Sequence, residues 1–122
     1  MGFAKTVINH PDEYWKIVNQ LSLAFVLFVT EGCEACKGAD KRFGLISEKY
    51  SSKVISIIVD PRETPKIDAL GGIGTPTLVV YRNGQEARRF KGIGYPDDQE
   101  AYLTDIFNHY ADNAPLPAYL MP

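Results

Sequence analysis

Apolar residues are distributed along the chain at two spacings, and the alternation between the two predicts most of its elements. Tyr14, Trp15, Ile17, Val18 and Leu21 recur at helical intervals behind Pro11, Asp12 and Glu13, which predicts a helix over 11–21. AFVLFV, residues 24–29, is apolar without alternation, as a strand covered on both faces is, and VISIIV, residues 54–59, repeats that pattern. A short strand over 4–9 (AKTVIN) precedes the first helix. A helix is expected over 34–50, with Phe43, Leu45 and Ile46 among its apolar positions, and a shorter one over 61–70, ended by Gly71 and Gly72. Strands over 77–81 and 86–91 flank Asn83-Gly84, a strong hairpin signal. An amphipathic helix over 95–111 carries Tyr102, Leu103, Ile106, Phe107 and Tyr110.

The resulting order, β-α-β-α-β-α-β-β-α, implies an α/β fold with a central mixed sheet of about five strands and helices on both faces. Residues 1–111 would form one domain and residues 112–122 a Pro-rich tail. In such sheets chemistry gathers at the C-terminal ends of the middle strands. Cys33 lies just past the end of the first buried strand.

Composition narrows the partners. Apolar residues make up 45% and charged residues 23% of 122, which fits a soluble globular domain. A formal net charge of −2 gives no electrostatic reason to expect nucleic acid or an anionic membrane. The longest apolar stretch, residues 23–29, is too short to span a bilayer, and a monomer is expected. No secretory signal is read at the N-terminus, so the two cysteines point to a reducing compartment, the cytoplasm. The start, MGFAKT, matches the loose myristoylation pattern at Gly2 and Thr6, and a chance match on a strand is the favoured reading.

The pair in EGCEACK, Cys33 and Cys36, could bind metal, sit inertly in the core or exchange electrons. A structural zinc takes four N or S ligands, and neither His10 nor His109 stands at knuckle spacing, so no metal is expected. The polar surroundings argue against burial. Redox exchange fits: a first Cys at the start of a helix meets free N–H groups and the positive end of the helix dipole, which favour the thiolate. The second lies about one turn on and can resolve a mixed disulfide. Glu34 opposes the thiolate and Lys37 favours it, so Cys33 is expected to be moderately activated and the pair to suit a reductant.

The chain resembles the thioredoxin family through most of its length. Cys33-Glu34-Ala35-Cys36-Lys37 stands at that family's active-site position. GIGTPT, residues 72–77, is similar to the segment before its fourth strand, and LVVYRNGQEARRFKG to its terminal hairpin. The resemblance implies the thioredoxin fold and a cis bond at Thr75-Pro76 that leaves the Thr75 backbone free to pair with a substrate peptide. It also implies that Gly74 and Gly92 line the groove. Departures are clear: Gly32 replaces the usual Trp, Glu34-Ala35 the usual Gly-Pro, Leu27 the usual buried Asp, and Ser56 the Lys that pairs with it.

Other features have plainer readings. Trp15 is assigned to the core, and Arg88, Arg89 and Lys91 to protecting an exposed strand. The tail is expected to pack on its own domain or fray, the other reading being a docking peptide. The expected function is reduction of protein disulfides by dithiol exchange, with Cys33 as nucleophile and Cys36 as resolving thiol. No cofactor would be bound, and electrons would come from a reductase using NADPH, thioredoxin reductase being the candidate partner. The alternatives are a glutaredoxin-like, glutathione-dependent reductase, against which no clear Gly-Gly-Asp segment follows the hairpin, and a binding module without redox turnover.

Overall fold

In the computed structural model, which describes residues 5–122, strand β1 (Leu23–Phe28) lies inside a four-stranded sheet of order β2-β1-β3-β4. It runs parallel to β2 (Ile55–Val59) and antiparallel to β3 (Thr77–Arg82), which pairs antiparallel with β4 (Gln85–Lys91). All of β1 is buried because both faces of the sheet are covered. Leu23, Phe25 and Leu27 pack with Phe43 and Ile46 of α2 (Ala39–Glu48) and with Leu103, Ile106 and Phe107 of α3 (Gln99–Asp112). Ala24, Val26 and Phe28 face the other way, onto Tyr14 and Val18 of α1 (Pro11–Val18). The strand period of two thus splits one segment between two cores.

Register places the site. Phe28 pairs with Val59 on one side and Thr77 on the other, so the chain leaving β1 toward Cys33 runs beside the chain entering β3 from Pro76. The hairpin between β3 and β4 turns at Asn83 (φ 54°) and Gly84 (φ 79°), the pair of positive angles a two-residue turn needs. Tyr14 and Tyr81 share a buried hydroxyl–hydroxyl bond of 2.7 Å, and burial pushes the Tyr81 phenol up to about 12.

Several expectations are corrected. Among the described residues, Lys5–Ile8 form no strand, although Thr6 N donates to Ile58 O at 2.7 Å, so the described sheet has four strands and not five. Ala4 of the expected strand and Gly2 of the myristoylation pattern lie outside the described residues. α1 stops at Val18, where Asn19 folds back with its side-chain Nδ2 on Trp15 O at 2.7 Å, leaving Leu21 largely exposed. The helix expected over 61–70 is a single 3-10 turn, Asp68–Leu70. Two prolines, Pro61 and Pro65, deprive the stretch before it of amide donors. The last helix starts at Gln99, after a 3-10 turn at Pro96–Asp98.

The tail folds back on α3. Asn113 ends that helix in the left-handed region, Ala114 O meets His109 Nδ1 at 2.7 Å, and Leu120 is buried in the core that holds Phe107. Tyr119 bonds Asp105 through its hydroxyl and packs edge-on against Tyr102. Trp15 is partly buried, edge-on to Tyr14 and Tyr81. Along β4, at the edge of the sheet, Arg88 covers the ring of Phe90 and Arg89 pairs with Glu86 at 2.8 Å. No helix among the described residues is long and apolar enough to cross a membrane.

Candidate active site around the Cys33–Cys36 disulfide

Beyond β1 the chain passes through Val29 and Thr30, turns at Glu31-Gly32, and reaches Cys33 in an extended conformation (φ −90°, ψ 112°). Cys33 caps a single 3-10 turn, Glu34–Cys36, closed by Cys36 N donating to Cys33 O at 3.1 Å. A disulfide joins the two cysteines, whose Cα atoms are 5.2 Å apart. Cys33 is partly exposed, while Cys36 is 8% exposed and belongs to the core that contains Leu27. Cys33 is thus the more exposed of the two.

The helix expected from Glu34 is interrupted. Gly38 sits at φ +73°, the left-handed region, so α2 begins only at Ala39 and Cys33 caps just the three-residue turn before it. The dipole of a long helix therefore does not act on that sulfur as the sequence implied. Glu34 and Lys37 pair with each other at 3.3 Å, with side chains 87% and 74% exposed. An exposed pair of opposite charges leaves little net field at a neighbouring sulfur.

The segment before β3 completes the site. The Thr75–Pro76 peptide bond is cis, and the Thr75 carbonyl oxygen lies 3.5 Å from Cys33 Sγ. Thr75 Oγ1 bonds Thr30 Oγ1 at 3.0 Å, and Thr77 Oγ1 donates to Gly74 O at 2.7 Å. Gly74, Thr75, Pro76 and Gly92 line a shallow groove of about 330 Å³. A Cβ at position 74 or 92 would meet no atom within 4 Å, so backbone bounds the groove there and a side chain would protrude into it. Gly92 also has φ +103°, which other residues avoid. The structure thus brings Cys33, Cys36, Thr75 and Pro76 together, sets Gly74 and Gly92 beside them, and turns Glu34 and Lys37 to solvent.

Leu27 is fully buried in the core that also holds Cys36, so no carboxylate occupies its place there. Ser56 pairs in register with Phe25, and its Oγ is buried without a hydrogen-bond partner. Among the described residues no group of three or more His, Cys, Asp or Glu side chains gathers to hold a metal ion. A carboxylate does occur nearby: Asp60, at the end of β2, is 2% exposed, with Oδ2 at 3.6 Å from both Lys5 and Arg62. Burial opposes its ionisation, but the bond from the Arg62 backbone N at 2.8 Å and the charges of Arg62 and Lys5 outweigh that and hold its pKa below the usual carboxylate value.

Three residues that touch this region were not singled out from the sequence. Thr30 ties the end of β1 to Thr75. Gln99, fully buried, donates from Nε2 to Ala35 O at 2.7 Å and to Gly94 O at 3.2 Å. Arg42 donates from Nη1 to Gln99 Oε1 at 2.8 Å and to Lys37 O at 2.9 Å. A polar residue directly after a buried strand could have flagged Thr30. Gln99 and Arg42 sit in patterns that surface residues share, so spacing carried no signal for them.

A disulfide between a partly exposed and a buried cysteine, the former against Thr75 at the wall of the groove, can exchange with thiols and disulfides that reach the exposed side. Comparison with known proteins agrees. No curated protein matches the sequence. Among solved structures, a thioredoxin of Plasmodium falciparum superposes with a TM-score of 0.73 at 24% identity, over 88% of this chain and 99% of its own. The oxidised form from the same organism gives 0.72 at 25% identity, with the same coverages of 88% and 99%. The germline-specific thioredoxin Deadhead of Drosophila melanogaster gives 0.71 at 21% identity, again over 88% and 99%. The family model described as Thioredoxin matches residues 5–105, from ahead of α1 into α3 and across both cysteines. On that match and on its paired cysteines the chain belongs to the thioredoxin family, and its chemistry is thiol–disulfide exchange.

Proposed function

We propose that the protein reduces disulfides of other proteins by dithiol exchange. In the reduced state the Cys33 thiolate attacks a substrate disulfide, forming a mixed disulfide and releasing one substrate thiolate. The Cys36 thiol then loses its proton and attacks Cys33 Sγ, closing the Cys33–Cys36 disulfide and releasing the second substrate thiolate. The substrate gains two electrons and, on protonation, two thiols; the protein loses both. The observation that carries this assignment of roles is the asymmetry of the pair: Cys33 is partly exposed beside Thr75, whereas Cys36 is buried in the core. An extended substrate segment would run along Thr75 and Pro76, with Gly74 and Gly92 giving its backbone room.

Protein disulfides are the substrates in this reading, the protein acts as a monomer in the reducing cytoplasm, and thioredoxin reductase with NADPH restores the dithiol. The test is reduction of a disulfide-bonded protein coupled first to thioredoxin reductase and NADPH, then to glutathione and its reductase. Turnover with the first system, abolished by Cys33→Ser, is expected. Turnover only with the second favours a glutaredoxin-like enzyme, and turnover with neither, together with unaltered partner binding in Cys33→Ser, favours a binding module.

A further inference from the structure

We propose that Gln99 is a positioning residue for the cysteine pair: with Arg42 it holds the backbone on both sides of Cys36, in place of the helical continuity that Gly38 removes. This rests on the redox reading above and deepens it. Ala35 and Lys37 flank Cys36, and the carbonyl of each is gripped from outside the turn, Ala35 O by Gln99 Nε2 and Lys37 O by Arg42 Nη1. The two grips are one unit, because the same Arg42 nitrogen also donates to Gln99 Oε1. Gln99 is the first residue of α3, and its Nε2 also donates to Gly94 O, so the turn is tied to the segment that leads into that helix.

Both ends of the Gln99 amide are bonded, although the side chain has no exposure at all. A buried amide is costly to leave unpaired, so this side chain resists departing from the turn it holds. Within the turn itself the backbone is held by Cys36 N on Cys33 O and Lys37 N on Glu34 O, and by no helix that continues it. It is one 3-10 turn of three residues, separated from α2 by Gly38, and Arg42 lies over that glycine with its guanidinium 3.1 to 3.2 Å from where a Cβ would stand.

The consequence concerns the dithiol. The disulfide holds its two sulfurs together by a covalent bond, but once it is reduced only the backbone keeps them near each other. A held turn keeps the effective concentration of Cys36 at Cys33 high, which favours ring closure and makes the pair the stronger reductant. A freed turn gains more freedom in the dithiol than in the disulfide, so the equilibrium shifts toward the dithiol.

The test compares Gln99→Met, which keeps length and burial but forms no such bonds, with Leu103→Ala, which loosens the core at the same helix and removes no hydrogen bond to the turn. Each protein is equilibrated with glutathione buffers under conditions where circular dichroism shows it folded, and the oxidised fraction is read by alkylation and mass spectrometry. Gln99→Met is expected to lower the equilibrium constant for disulfide formation about tenfold, which is about 30 mV for a two-electron couple, with Leu103→Ala within about twofold of the parent. An unchanged constant in Gln99→Met overturns the proposal. Should that variant not fold, Arg42→Met is read instead: it keeps much of the side chain's length but removes both bonds of Nη1, and a shift of several-fold in the same direction is expected, with no shift overturning the proposal. If the parent protein forms no reversible disulfide with glutathione, the redox reading fails and the inference with it. A parent that cycles beside an unshifted variant removes the inference alone.

Discussion

Cys33 Sγ lies 3.5 Å from the carbonyl oxygen of Thr75. In the disulfide this is a contact without a proton; in the dithiol the Cys33 thiol can donate to that oxygen. The approach depends on where β1 delivers the cysteines and where the chain enters β3, and Thr30 joins those two segments through its bond to Thr75 Oγ1 at 3.0 Å.

Thr30→Val removes that bond while keeping the shape. It is expected to cost about 1 kcal/mol of stability and to slow reduction of a protein disulfide several-fold. The glutathione equilibrium, which needs no groove, should stay within about twofold. Stopped-flow rates and redox titration of the same samples check this; equal rates for variant and parent would speak against the contact.

Gly38→Ala tests the break between the cysteine turn and α2. An L-residue in the left-handed region costs about 1–2 kcal/mol, and here the new Cβ also stands 3.1 Å from the Arg42 guanidinium. Urea unfolding should show a lower midpoint at unchanged slope. A midpoint equal to the parent's would mean that the turn and helix can join after all.

Much of this was legible in the sequence, and the exceptions share a cause. Unbroken apolar runs located β1 and β2, and Asn83-Gly84 located the hairpin, because burial on both faces and positive φ leave few residue choices. The cysteine pair was legible from its spacing and its place after β1. The helix over 34–50 was overextended because Gly38 lies inside a helical pattern whose apolar residues, Phe43 and Ile46, begin only beyond it. Gln99 was invisible for a different reason: its role depends on Ala35, 64 residues away, and a glutamine at a helix start usually faces water.

Acid sensitivity follows from Asp60. Its pKa is lowered in the fold, so the stabilisation it supplies is complete above the unfolded carboxyl value of about 3.9 and disappears as pH falls through the lower folded value. Thermal unfolding between pH 7 and pH 2 should show Asp60→Asn less stable than the parent at neutral pH and the difference shrinking below about pH 4. A difference independent of pH would mean that the charges of Arg62 and Lys5 do not act on it.

Leu27→Asp places an acid in the core that holds Cys36, with Ser56 rather than a cation on the next strand. An unpartnered buried carboxylate is expected to cost about 3–5 kcal/mol. Because burial raises its pKa above the unfolded value, the loss should be smaller near pH 4, where only the cavity and the neutral carboxyl cost stability, and grow toward pH 7. Chemical unfolding at both values tests the sign, and equal losses at both would show that water or a cation reaches the site.

The assignment of Cys33 as attacking sulfur and Cys36 as resolving sulfur is tested most directly by trapping. Reduced Cys36→Ser and Cys33→Ser are each mixed with a disulfide-bonded protein, quenched by alkylation and mapped by mass spectrometry. The account predicts a stable mixed disulfide through Cys33 in Cys36→Ser and little or none through Cys36 in Cys33→Ser. Capture through Cys36, or none in either variant, would contradict it.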